Sequence, residues 1–213
     1  SSYHAYDGIR DRVSCLVGSE MCIRDSVWII DPLDGTSNYL HGIPHFGISI
    51  ALQHKGRTEH AIVYDPMRDE IFSASRGNGA HLNNTRIRVS PRPTLDDAIL
   101  ATAFPFRQRG MMGVYTGIFS DVYRKVEDIR RFGAASLDLA WVAAGRMDAY
   151  FEIGMKAWDV AAGALLVREA GGVVSDFEGN DAVEQSNSIL AAPYKLMTPL
   201  RQMIEPRWAK AKK

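Results

Sequence analysis

Asp31 and Asp34 stand three residues apart in Asp31-Pro32-Leu33-Asp34-Gly35-Thr36-Ser37, just after the apolar run Val27-Trp28-Ile29-Ile30. Two carboxylates with the Leu33 carbonyl between them offer hard oxygen ligands. Gly35 lets the backbone approach a ligand closely, and Gly35-Thr36-Ser37 adds amide N–H groups and two hydroxyls. Mg²⁺ prefers a few carboxylates together with phosphate oxygens, so this set suits Mg²⁺ and a phosphate at once. Asp-Pro and Asp-Gly are also ordinary turn dipeptides, and taken alone the stretch reads equally well as a plain turn. The alternating ligands and sixth-position glycine of an EF-hand loop are absent. His41 and His45 would form a metal pair on a helix, but Gly42 and Pro44 argue against one, so both read as loop residues without a ligand role.

A second segment lies far downstream, Trp158-Asp159-Val160-Ala161-Ala162-Gly163, followed by Glu169-Ala170-Gly171-Gly172. Asp159 reads first as the N-cap of a helix over 160–170. Residues 27–52 and 158–172 together resemble the inositol monophosphatase family, whose signatures run W-x-I-D-P-x-D-G-T-x-N and W-D-x-A-A-G…E-A-G-G. The resemblance extends from about residue 27 to about 193.

That resemblance implies an α+β fold, a layered αβαβα sandwich, and a Mg²⁺-dependent phosphomonoesterase acting on inositol monophosphate or a similar small polyol phosphate. It implies metal ligands Asp31, Leu33 (through its carbonyl), Asp34 and Asp159, with Thr36 orienting the attacking water beside Asp31. Leu33, Asp34, Gly35, Thr36 and Asp159 would also contact the substrate. Gly133, Ala134 and Ala135 match a segment lining the polyol, and Glu152 matches a glutamate that bonds sugar hydroxyls. Arg130 matches a substrate-contacting arginine, with a structural ion pair as its equal alternative. A homodimer is implied, and association with the transcription machinery is a second reading. The metal motifs are shared with phosphatases of sugar bisphosphates and nucleotide 3′-phosphates, so only the polyol-side residues favour inositol phosphate.

The 213 residues are 46% apolar and 23% charged, with 25 basic against 25 acidic residues. These are globular values, and zero formal charge gives no field that would favour nucleic acid. Two cysteines, Cys15 and Cys22, are too few for a disulfide framework or a zinc cluster. No apolar run approaches the roughly 18–20 residues of a membrane span, and no signal-peptide core is visible, so a soluble cytoplasmic protein is the expectation. The basic end, 207–213, reads as a solvated tail.

Elements must then position these groups. Residues 46–52, 59–64 and 70–75 alternate as strands joined by tight turns, an antiparallel meander. Pro91 and Pro93 mark the passage from a first half, 27–92, to an α/β second half, 93–213. In the latter, 97–102, 147–153 and 173–176 read as strands and 112–125, 137–145 and 159–170 as helices.

Residues 1–26 carry neither helical nor strand periodicity, and 13–26 reads like translated adapter sequence. Family members begin with two helices and an acidic Gly-Glu-Glu loop that supplies a further metal ligand. Counting back from Asp31, the corresponding window holds Asp11, Arg12, Val13 and Ser14 but no glutamate, and Glu20 lies only eleven residues upstream. On that reading the N-terminal helices and one metal ligand are missing and catalysis is weak; a brisk turnover would instead point to Asp11 or Glu20 as a substitute ligand.

Overall fold

The computed structural model describes residues 25–211. The first half is a six-stranded antiparallel meander in strand order β1 to β6: Ser26–Asp34, Gly47–His54, Arg57–Asp65, Glu70–Ser75, Gly79–Leu82 and Thr85–Arg86. The alternation that predicted it has a packing cause. Ala51, Ala61, Val63, Phe72 and Ala74 point inward and are buried. The tight β2–β3 turn is made by Lys55 and Gly56, both at positive φ (51° and 75°), as a two-residue hairpin turn requires. A short helix, α1 (Thr36–Leu40), separates β1 from β2.

After the irregular stretch 87–98, the second half forms a five-stranded mixed sheet in the order β10-β11-β9-β7-β8. Its strands are β7 (Ile99–Thr102), β8 (Asp128–Arg130), β9 (Ala149–Ile153), β10 (Gly172–Ser175) and β11 (Ser188–Pro193). β7 runs parallel to both β8 and β9, and β11 antiparallel to β9 and β10. Helices α3 (Ala135–Ala143) and α4 (Ala157–Glu169) lie between the two sheets. One continuous core joins Val63 and Phe72, Leu137 and Leu139, Leu165 and Leu166, and Tyr150 and Ile189. On the far face of the second sheet, α2 (Met112–Tyr123) and α5 (Tyr194–Ala211) close a second core around Leu100, Phe151, Ile118, Leu200 and Ile204.

The fold is therefore α+β, and the described residues supply four layers in the order sheet, helices, sheet, helices. The outer face of the first sheet carries no helical layer among the described residues. Trp28, Ile62 and Ile71 lie on that face, 57%, 42% and 46% exposed.

The longest elements not foreseen are β11 and α5. The run Ile189-Leu190-Ala191-Ala192 has no periodicity, since β11 is buried on both faces, and such runs do not distinguish strand from helix. Helix α5 contains Pro199 and Pro206, residues that argue against a helix. Its stripe Leu196, Leu200, Ile204 and Trp208, four residues apart throughout, is buried and holds it in place. The expected solvated tail is thus largely the last turns of a docked helix. No helix among the described residues is long and apolar enough to cross a membrane.

The α3–α4 contact depends on Gly163. A Cβ there would sit 2.5 Å from Leu139 Cβ, which is not a flexible chain end. Gly163→Ala should therefore destabilise the protein by about 1–3 kcal/mol despite the helix-propensity gain of about 1 kcal/mol. Urea denaturation measures it, and a midpoint at or above wild type would refute this account of the packing.

Candidate active site

In a regular strand, residues three apart face opposite ways. Asp31 and Asp34 nevertheless share one side, because β1 does not end at Asp31-Pro32 as the proline suggested. The strand continues to Asp34 with an irregular register: Asp31 pairs with Ser49, and Asp34 with Gly47. Three steps on β1 thus oppose two on β2, a bulge that turns both carboxylates inward, 1% and 6% exposed. Pro32 is tolerated because β1 is an edge strand. Gly35 follows with φ 83°, and a Cβ there would lie 3.0 Å from the His45 carbonyl oxygen, so strain and crowding both demand glycine. Asn38 on α1 fastens this turn to the second half. Its amide donates to the carbonyls of His45 (2.7 Å) and Phe132 (2.8 Å).

Asp159 comes from the opposite side. The helix begins at Ala157, so Asp159 is its third residue and not its N-cap. Its Oδ2 accepts the Lys156 N–H (2.7 Å), the acidic half of a capping arrangement. Ser49 Oγ donates to the Trp158 carbonyl (3.2 Å), tying this helix start to β2. Oxygens of Asp31, Asp34 and Asp159, all buried, lie within 4.8 Å of one another.

Such crowding has an electrostatic consequence. Burial, and then the negative charge of Asp159, lifts the Asp34 carboxyl to about 7. The N-terminus of α3 works against this, since Ser136 donates both its N–H (2.7 Å) and its hydroxyl (2.6 Å) to Asp34 Oδ2. Behind the cluster, burial, and then the charge of Asp159, hold Glu152 as an acid up to about 8, against the Tyr150 hydroxyl, which donates to its Oε2 and favours the charged form. Asp138 on α3 is fully buried, its carboxyl makes no hydrogen bond among the described residues, and burial pushes it well up.

A cleft of about 740 Å³ opens over these groups, off the carboxyl ends of the parallel strands. Asp31, Asp34, Gly35, Thr36, Gly133, Ala135, Glu152 and Asp159 line it. Leu33 and Ala134 stand just behind. The Leu33 carbonyl accepts the Thr36 hydroxyl (2.9 Å), and Ala134 Cβ packs against Gly35. Arg130 is not brought into the cleft. It pairs with Asp128 on its own strand, two residues away and on the same face, while Arg131 faces the cleft instead. His45 is buried against Phe132 and Trp141 and is held neutral, its value lowered to about 4 by burial. Asp11 and Glu20 lie outside the described residues, as does all but the last two residues of the stretch 13–26 that reads like adapter sequence; Ser26 opens β1.

Sequence reasoning missed Arg107, Arg131, Ser136 and Asp138. Arg107 was within reach, because Phe104-Pro105-Phe106-Arg107 directly follows a strand, where ligand-binding loops of such sheets lie.

A sequence profile described as the inositol monophosphatase family matches residues 17–209. The chain belongs to the inositol monophosphatase family. The match runs ten residues ahead of the first motif, into the stretch 1–26 that the motifs left outside the resemblance. Nus factor SuhB of Pseudomonas aeruginosa is 53% identical over 184 residues, which is 85% of this chain and 68% of that relative. Among solved structures, the extragenic suppressor protein suhB of Bartonella henselae is 40% identical with a TM-score of 0.84, over 94% of this chain and 78% of that one. The inositol monophosphatase of Anabaena is 37% identical with a TM-score of 0.81, over 84% and 74%. The family is a metal-dependent one, and the donor set here suits a hard divalent cation: carboxylates only, buried, crowded enough to raise Asp34.

The Glu152 proton gives a test of these electrostatics. Its carboxyl moves from 4.5 to about 8 on folding, so above 4.5 the folded state keeps a proton that the unfolded state sheds. Stability therefore falls as pH rises, by at most about 1.4 kcal/mol per unit, until pH passes about 8. Glu152→Gln lacks this penalty. In metal-free urea denaturation its stability relative to wild type should improve by more than about 1 kcal/mol between pH 5 and pH 8. A gap that stays constant across that range would contradict the assignment.

Proposed function

We propose that the chain is a Mg²⁺-dependent phosphomonoesterase that hydrolyses inositol monophosphate or a similar small polyol phosphate. The observation carrying this reading is the meeting of Asp31, Asp34 and Asp159 from separate elements, with Thr36 and Glu152 on the same cleft. Asp31, Asp34, Asp159 and the Leu33 carbonyl would hold the metal, which would neutralise the phosphate and activate water for attack on phosphorus.

The remaining tasks fall to the chain's own groups. The Thr36 hydroxyl donates to the Leu33 carbonyl, so toward a water it acts as an acceptor and orients it. The turn at Gly35 lets backbone amides approach the phosphate. With a cation bound nearby, the charged form of Glu152 would be favoured and its carboxylate would accept polyol hydroxyls, with Tyr150 fixing its orientation. Gly133 and Ala135 leave space for the ring, because neither carries a side chain beyond Cβ. Arg131 is better placed than Arg130 to meet the substrate.

A second reading, a binding partner of the transcription machinery, rests on the name Nus factor borne by the Pseudomonas relative. With formal charge zero, no overall field favours nucleic acid as the contact in such binding.

Turnover of inositol 1-phosphate and of an aryl phosphate, with millimolar Mg²⁺, tests the main reading. Glu152→Gln should lower kcat/KM for inositol 1-phosphate by roughly one to two decades, the equivalent of one hydrogen bond to a charged group, and spare the aryl phosphate. Equal losses would remove Glu152 from polyol recognition. No Mg²⁺-dependent turnover of either ester would sink the phosphatase reading.

A further inference from the structure

Arg107 has no part in the reading above, yet it makes the closest contact of any side-chain cation to the acidic cluster among the described residues. Its Nη1 donates to Asp159 Oδ2 at 2.6 Å, and its Nη2 lies 3.5 Å from Oδ1. The Lys156 N–H already donates to the same Oδ2 (2.7 Å), so that oxygen holds two donors. The pair is well shielded, with the Arg107 side chain 24% exposed and that of Asp159 5%. We propose that Arg107 is a tethered counter-cation: it holds Asp159 while the metal is absent, and turns to the substrate's phosphate once a metal takes that carboxylate. This rests on the metal-site reading of Asp31, Asp34 and Asp159.

Three observations carry it. First, charge: a guanidinium stays protonated at any working pH, so a divalent cation arriving at Asp159 meets a fixed positive group on the same carboxylate. The two compete for the charge of one carboxylate, and its Oδ2 already holds two donors. Second, freedom: the side chain lies between two spaces, the main cleft and an adjoining cavity of about 330 Å³ bordered by Gln108, Gly154 and Glu184. The backbone beside it is fixed, because Gln108 and Asn187 exchange two amide hydrogen bonds (2.5 and 2.7 Å) and Gln108 N–H donates to the Pro105 carbonyl. These bonds restrain the loop, so movement would fall mainly to the Arg107 side chain, which rests on the Phe106 ring at 4.7 Å. Third, chemistry: the planar fork that matches a carboxylate also matches a phosphate, so the released guanidinium has a ready partner in a phosphate monoester dianion.

The consequence is a trade between the two ligands. Arg107 weakens metal binding in the absence of phosphate and strengthens phosphate binding in the presence of metal. Calorimetric titration of the whole chain with Mn²⁺, without substrate, reads the first effect. Arg107→Gln should bind Mn²⁺ about tenfold more tightly than wild type, within the usual size of coupling between two sites. Titration of the Mn²⁺-loaded proteins with inorganic phosphate reads the second. Arg107→Gln should lose about tenfold in phosphate affinity, again a coupling of ordinary size. Arg107→Lys keeps the charge without the fork, so it should retain the wild-type Mn²⁺ affinity while losing phosphate affinity. Wild type binding Mn²⁺ normally with Arg107→Gln no tighter would overturn the proposal and leave the metal site standing. Failure of all three proteins to bind Mn²⁺ would overturn the metal site and the proposal with it.

Discussion

Three buried carboxylates with oxygens within 4.8 Å of one another repel strongly when all are charged, and much of the molecule is arranged to hold them there. Asp31 and Asp34 arrive on a bulged edge strand, and Asp159 in the first turn of a helix from the other half of the chain. Left alone, the cluster resolves its repulsion in two ways: Asp34 retains a proton up to about 7, and Asp159 takes the Arg107 guanidinium. On the proposed reading, both stand in for a metal ion. A site that stays folded while storing this tension is poised to bind a hard cation, because each ligand gained also removes a penalty.

The framework that resists the repulsion is specific. Ser136 at the start of α3 aims two donors at Asp34, Ser49 anchors the start of α4, and Asn38 bridges the Gly35 turn to Phe132. Each of these bonds spans the first and second halves of the chain. Folding the halves onto their shared helical layer is therefore the same event as assembling the cleft. Gly163 lets α3 and α4 approach closely enough for that layer to fit between the sheets.

Much of this was legible in the sequence. The meander followed from strict alternation, since one face of the first sheet is packed and the other is not. The two motifs marked the carboxylates, though not the bulge that aligns them, because Pro32 has the same local signature in a turn and in a bulged edge strand. Asp159 was recognised, but its place in the first helical turn was not, since an N-cap and an acidic third residue differ by two positions in an otherwise identical pattern. Arg130 and Arg131 are adjacent, and strand alternation sends them to opposite sides; nothing local says which side is the cleft. Arg107 and Ser136 act through contacts made across more than 50 residues of chain, information that no spacing rule carries. Helix α5 formed against its prolines because four apolar residues at helical spacing found a partner in the second sheet.

The central claim is that Asp31, Asp34 and Asp159 are one metal centre and not three buried acids. Anomalous diffraction from crystals soaked in Mn²⁺ tests it most directly. The account predicts at least one Mn²⁺ peak about 2–2.3 Å from oxygens of Asp34 and of at least one of Asp31 and Asp159, close to the distances hard cations take from oxygen. Well-diffracting soaked crystals with Mn²⁺ bound elsewhere, and no density between these carboxylates, would contradict it.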